Sequence, residues 1–249
     1  MNLSSCTSKT PPDTCGFSSR TGLLLGEDGV ARLAAASVAV FGLGGVGSFV
    51  AEALVRAGVG RLLLVDADIV AESNLNRQLV ALRSTLGRPK VEVMSERILD
   101  INPGVAVESR QEFYSAENAD TFDLSAFGYV ADAIDSVPSK LELAARAIAV
   151  GIPIISCMGA GNKLDPTLFR VADIAKTSVC PLCRTMRRQL RARGIPHLTV
   201  VYSPEIPRSQ PVQSACAAGR RPVGSVSFVP AAAGLVLAGH IIRALSGVD

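Results

Sequence analysis

The residues best equipped for chemistry in this 249-residue chain fall between Gly42 and Asp135. Gly42-Leu43-Gly44-Gly45-Val46-Gly47 is a glycine turn of the G-x-G-x-x-G kind. Gly42 allows a tight turn, Gly44 lets the backbone approach a phosphate, and Gly47 lets the next helix lie close to its strand. A helix beginning there offers unpaired N–H groups to an anion. A glycine turn that only packs helix on sheet is the plain alternative. Asp66 stands where the second strand would end, within reach of ribose hydroxyls. The loop Ser73-Asn74-Leu75-Asn76-Arg77-Gln78 follows. A dehydrogenase has no need of an arginine directly after its ribose-binding strand. An enzyme splitting ATP does, because a guanidinium neutralises charge on transferring phosphates. Lys90 would lie in the first turn of a helix, where the dipole disfavours a cation. Phosphate anchoring explains it, and a solvated helix-start lysine is the plain reading. Asp135 comes at the carboxyl end of an apolar run, where a carboxylate can hold Mg²⁺ beside phosphates.

These residues need a scaffold, and the apolar pattern supplies one. Residues 38–41 and 62–65 read as strands around a helix-spaced segment that ends at Ala57, a βαβ unit. A short helix over 27–36 leads into it. Val91, Met94, Ile98 and Ile101 mark a helix over 89–101, and 105–107 a third strand. Residues 111–127 read as loop with a short helix. A buried fourth strand covers 128–134, with Asp132 inside it as a hydrogen-bonded acid. A helix over 138–150 and a fifth strand over 152–156 follow. The second half is less regular. Strands are expected at 168–174, 198–202 and 225–229, an arginine-rich helix after Cys180, a flexible loop over 203–224 and an apolar closing helix over 230–245. The predicted fold is a Rossmann-like doubly wound α/β sheet, mostly parallel, with antiparallel strands added in the C-terminal half. Residues 1–19, rich in Ser, Thr, Pro and Cys, read as a disordered tail, and 20–249 as a single domain.

The bulk properties narrow the class. Hydrophobic residues make up 48% of the chain and mean hydropathy is +0.33, enough for a soluble chain with an ample core. A net charge of +3 is too small by itself to indicate nucleic acid. The cysteines at 6, 15, 157, 180, 183 and 216 do not reach the density of a disulfide scaffold, so a reducing, cytoplasmic location is expected. The tail lacks the charge and apolar centre of a targeting peptide. Residues 226–242 are apolar enough for a membrane helix, but Pro230 and His240 interrupt them, so a buried helix without membrane insertion is expected.

Taken together, the glycine turn, Asp66-x-Asp68, the loop from Ser73 to Gln78, Lys90 and Asp132-Ala133-Ile134-Asp135-Ser136 resemble the ubiquitin-activating-enzyme-like adenylating superfamily. The resemblance implies ATP and Mg²⁺, with Asp135 on the metal and catalytic roles for Arg77, Lys90 and Asp135. It implies an ATP pocket built from Gly42, Gly44, Gly45, Gly47, Asp66, Asp68, Asn74, Gln78 and Lys90. It also implies a homodimer in which Arg77 reaches the ATP of the opposite subunit. Ala175-Lys176-Thr177, Pro181-Leu182 before the arginine-rich helix, and Val201-Tyr202-Ser203-Pro204-Glu205 are similar to the tRNA threonylcarbamoyladenosine dehydratase branch. So is Gly224-Ser225-Val226-Ser227-Phe228-Val229-Pro230. That branch activates the threonyl carboxylate of a modified adenosine with ATP and closes a ring, which implies tRNA as partner and a sulfur-transfer protein as a further candidate. An adenylyltransferase for a sulfur-carrier protein would share the first-half residues. A non-catalytic nucleotide-binding scaffold would be free to lose Arg77, Lys90 or Asp135.

Two features remain open at this level. Cys180-x-x-Cys183 lacks the second pair that a structural zinc needs, so zinc is not expected, and a redox pair competes with two ordinary cysteines. Arg184, Arg187, Arg188 and Arg191 share one helical face with no acid interleaved. Contact with tRNA phosphates is the functional reading and a solvated face the plain one.

Overall fold

The computed structural model describes residues 16–208 and 223–248. Cys6, Cys15, Cys216 and most of the tail and loop expected at 1–19 and 203–224 lie outside the described residues. Seven strands form one sheet: β1 Ser37–Phe41, β2 Arg61–Val65, β3 Ala106–Arg110, β4 Tyr129–Asp132, β5 Ile154–Cys157, β6 Arg170–Asp173 and β7 Thr199–Tyr202. Their spatial order is β3-β2-β1-β4-β5-β7-β6, and every pairing is parallel except β6 with β7. The order reverses between β1 and β4, the switch point at which open α/β sheets bind ligands.

The helices are α1 Ser19–Ala35, α2 Gly47–Arg56, α3 Lys90–Ile101, α4 Val137–Ala149, α5 Pro181–Ala192 and α6 Phe228–Ser246. Side chains alternate across a strand. Val38, Val40, Leu62 and Leu64 therefore pack with α2, α3 and α6, while Ala39, Phe41, Leu63 and Val65 pack with α4 and α5. Both faces being covered, β1 and β2 read as continuous apolar runs, as central parallel strands do. Register then sets the site. Phe41 pairs with both Val65 and Asp132, so Gly42, Asp66 and Ala133 leave the sheet at one level.

The structure departs from the sequence reading in four places. The first helix starts at Ser19, ahead of the expected 27–36, and is broken at Gly26, where φ is 72°. β3 runs on through Glu108, Ser109 and Arg110, because an edge strand can carry polar residues while its backbone pairs with β2. Residues 111–127 form two short 3-10 turns, Ala119–Thr121 and Leu124–Ala126, instead of a helix. The strand expected at 225–229 does not form. α6 already begins at Phe228, with Pro230 in the first turn, where no N–H partner is needed. The antiparallel additions thus reduce to β6. By length and composition α6 could span a membrane, yet Val229, Ala233, Leu237 and Ile241 are fully buried in the core.

Candidate active site

A cavity of about 530 Å³ opens at the carboxyl ends of β1, β2 and β4. The glycine turn forms its floor for steric reasons. Gly42 holds φ 89°, and a Cβ there would stand 2.7 Å from the Ala133 carbonyl oxygen. A Cβ on Gly47 would stand 1.7 Å from the Gly42 carbonyl oxygen, so α2 can pack this closely only without one. Gly44 differs: its nearest neighbour would be Gln78 Nε2 at 3.8 Å, which leaves bare backbone facing the cavity. Gly45 is wedged between Pro230 at the start of α6 and the stem of Arg77.

Asp66 ties this turn to β2. Its Oδ2 accepts from Leu43 N at 2.6 Å and its Oδ1 from Asp68 N at 2.8 Å. Burial pushes its carboxyl above the ordinary range, against the pull of Lys90 and the two backbone donors. Lys90 Nζ donates to Asp68 Oδ2 at 2.7 Å and lies 3.9 Å from Asp66 Oδ1. With its side chain 5% exposed, Lys90 is no solvated helix-start residue. Its backbone N also donates to Asp68 O, which docks the start of α3 onto the end of β2.

The loop after Asp68 closes one wall. Asn74 Oδ1 accepts from Ala71 N at 3.0 Å, a bond that shapes the loop. Arg77 Nη1 donates to Ser73 O at 2.8 Å and Asn76 Oδ1 at 2.9 Å, and the side chain lines the cavity of its own chain. Gln78 is buried beside it. Opposite stands Asp135, exposed at the cavity wall, with no hydrogen bond or ion pair to its carboxylate among the described residues. One such hard oxygen donor fits Mg²⁺, which takes one or two carboxylates and completes its shell with water and phosphate. Among the described residues no three metal-ligating side chains are gathered.

Sequence reasoning overlooked Phe113 and Tyr114, which line the cavity beyond β3. Their aromatic pair, falling in a stretch read as loop, was the available signal. Tyr114 is buried with its ring edge-on to Phe41, and burial pushes its hydroxyl up to about 12, so it stays protonated. Among the described residues, the buried side-chain polar atoms without a partner are Gln78 Oε1 and Tyr114 OH, and both residues line this cavity. An unpaired buried polar group costs roughly 1–3 kcal/mol, which a ligand would recover.

The arginine helix divides in two. Arg187 turns inward, and its Nη1 donates to Ile174 O, Thr177 O and Thr177 Oγ1 at 3.1, 2.8 and 2.9 Å. It therefore holds α5 to the preceding turn and does not share the exposed face expected from the spacing. Arg184, Arg188 and Arg191 are exposed, and none makes an ion pair among the described residues. Cys180 and Cys183 are both buried at the start of α5, and Cys180 Sγ lies close behind Gly159 of the cavity wall. Hydrogen bonding from Cys183 holds the Cys180 thiol below its ordinary range, while the same contact and burial push Cys183 up.

Residues 18–249 match the ThiF family. The chain is 44% identical over 237 residues to the tRNA threonylcarbamoyladenosine dehydratase of Bacillus subtilis, an alignment covering 91% of this chain and 93% of the relative. The dehydratase of the same name from Escherichia coli K12 is 36% identical over 246 residues, covering 90% and 91%. A crystal structure of the E. coli dehydratase in complex with ATP superposes with a TM-score of 0.83 at 35% identity, over 92% of this chain and 93% of that one.

Proposed function

The chain belongs to the ThiF family, and from that premise we propose that it dehydrates threonylcarbamoyladenosine in tRNA to the cyclic form, at the expense of ATP. The observation that carries this reading is the cavity itself. Glycine turn, Asp66–Lys90 pair, Arg77 and Asp135 converge on one space, in a chain similar over nine-tenths of its length to such dehydratases. The threonyl carboxylate attacks the α-phosphate of ATP, giving an acyl-adenylate and pyrophosphate. The ureido nitrogen of the substrate then attacks the acyl carbon, loses its proton and expels AMP, so no enzyme nucleophile is needed.

The protein supplies position and charge. Bare backbone at Gly44 and the N-terminus of α2 receive phosphate, and Asp66 receives ribose hydroxyls. Lys90, held between two carboxylates, turns to phosphate as the exposed Asp68 yields its place. Asp135 would hold Mg²⁺, which neutralises phosphate charge when bound. Arg77, at the wall of its own cavity, acts within its own subunit in this reading. Mixing Arg77→Ala with Asp135→Ala protein tests that point: in-subunit action predicts no recovered activity, whereas cross-subunit action restores some. A cytoplasmic homodimer completes the proposal, with Leu23 and Leu24 on α1, 86% and 83% exposed, as apolar surface for a second copy.

Exposed Arg184, Arg188 and Arg191 would meet tRNA phosphates. Mass spectrometry of nucleosides from modified tRNA, incubated with protein and ATP, tests the whole reading. The expected product has lost one water. Unchanged tRNA, together with ATP–pyrophosphate exchange triggered by a Gly-Gly-tailed carrier protein, would replace this reading with the sulfur-carrier one.

A further inference from the structure

Behind the cavity wall lies a charge pair that the chemistry above does not use. Lys140 on α4 and Asp132 at the end of β4 are 1% and 0% exposed. Lys140 Nζ donates to Asp132 Oδ1 at 3.0 Å and to Ser156 Oγ on β5 at 3.1 Å, and Ser156 Oγ donates to Asp132 Oδ2. Asp132 Oδ1 also accepts from Ile134 N at 3.1 Å. Ions taken this far out of water lose hydration that their attraction hardly repays, and apolar replacements of similar volume are often neutral or stabilising. Stability is therefore a poor reason for the pair. What it does is grip the backbone one residue before Asp135. The same turn backs the glycine loop: Ala133 N donates to Phe41 O at 2.8 Å, and Ala133 O sits where a Cβ on Gly42 would need to be.

We propose that Asp132, held by Lys140 and Ser156, is a positioning residue that acts through the Ile134 amide to set the turn presenting Asp135. The inference rests on the role given to Asp135 above. Lys140 fixes the rotamer of Asp132, and Ser156 occupies its second oxygen. The remaining lone pair on Oδ1 is thereby aimed at the backbone.

Two paired variants separate positioning from packing, since each removes both charges and leaves no orphan ion. Asp132→Leu with Lys140→Met also removes the acceptor for Ile134 N, whereas Asp132→Asn with Lys140→Met keeps it. Four quantities are measured: melting temperature, ATP affinity by calorimetry, turnover of modified tRNA, and hydrogen exchange at the Ile134 amide. Both pairs should melt near the parent and bind ATP within about threefold of it. The Leu/Met pair should lose about 100-fold in turnover, the cost of an ångström-scale misplacement, and the Asn/Met pair should recover most of that. Hydrogen exchange at the Ile134 amide should speed up in the first pair only. Parental turnover in the Leu/Met pair, or equal losses in both, overturns the proposal. If the Leu/Met pair fails to fold, Ser156→Ala deletes a single bond to Asp132 and should still lower turnover more than melting temperature; unchanged turnover there counts against positioning. A parent that leaves tRNA unaltered sinks the proposed function instead, and the Ile134 exchange rates then decide the positioning question alone.

Discussion

Two cationic regions of this molecule are built on opposite principles. At the cavity, Lys90 is buried and fixed between Asp68 and Asp66 by hydrogen bonding and charge. On the outer face of α5, Arg184, Arg188 and Arg191 stand in solvent without ion pairs among the described residues. A buried charge has few geometries and meets little dielectric screening, so it can be aimed at a bond that is changing. Exposed arginines have many geometries and act through a field that salt screens, which suits holding a large anion by contacts that can be spread over its surface. Arg187 shows that exposure divides these roles more than residue type does, because within the same helix it has become a structural strut.

The contrast breaks most visibly at Lys90. Lys90→Met should lower turnover by about 10²- to 10³-fold, the usual loss for one preorganised charge donor, with tRNA affinity unchanged. Steady-state kinetics alongside a tRNA binding assay measure both, and a mild loss would place Lys90 with the surface cations. On the other side, replacing Arg184, Arg188 and Arg191 with alanine should weaken tRNA binding. Its logarithmic salt slope should fall by about 0.7–0.9 for each phosphate that is no longer neutralised, and ATP binding should stay as it was. Filter binding over a salt series would read this, and an unaltered slope would leave the face merely solvated.

Arg187→Ala sharpens the division within α5. It should cost roughly 1–3 kcal/mol of stability, since two carbonyls and a hydroxyl lose their donor, while the salt slope stays parental. Denaturant titration is the check. The smallest effect belongs to Tyr114→Phe. It removes an unpartnered buried hydroxyl while keeping the ring against Phe41, so the ligand-free protein should gain up to about 1 kcal/mol. If the hydroxyl meets a ligand, the stabilisation conferred by ATP or by substrate tRNA should shrink in the same variant. Thermal melts with each added singly would show which one meets it.

The nucleotide half was legible because its constraints are local. A strand followed by Gly42 and Gly47 leaves few backbone paths, and the helix starting at Lys90 follows from one apolar stripe. What stayed hidden depends on distant neighbours. Ser225 to Val229 alternates like a strand, but an edge already occupied by β6 and a helical continuation from Phe228 decide otherwise. Arg187 has the same spacing as its neighbours, and only the Ile174–Thr177 turn packed beside it shows that it is not surface charge. Lys140 and Tyr114 could not be singled out either, since their meaning lies in Asp132, Ser156 and a cavity assembled from segments distant in the chain.

The packing of α6 carries a consequence for biosynthesis. Val229, Ala233, Leu237 and Ile241 cover the helix that begins at the glycine turn, and Gly234 lies so close to the Val46 carbonyl oxygen that a Cβ would sit 2.5 Å from it. Arg32 of α1 reaches Ser246 O at 2.8 Å, so the first described helix is also tied to the last. A ribosome releases these segments in the opposite order to that dependence. While α6 is still in the exit tunnel, the helix that begins at the glycine turn is exposed on its apolar side and has nothing to lie against. A nascent chain stalled before Phe228 should therefore be bound by chaperones and lack ATP affinity, although every motif proposed to contact nucleotide has already been translated.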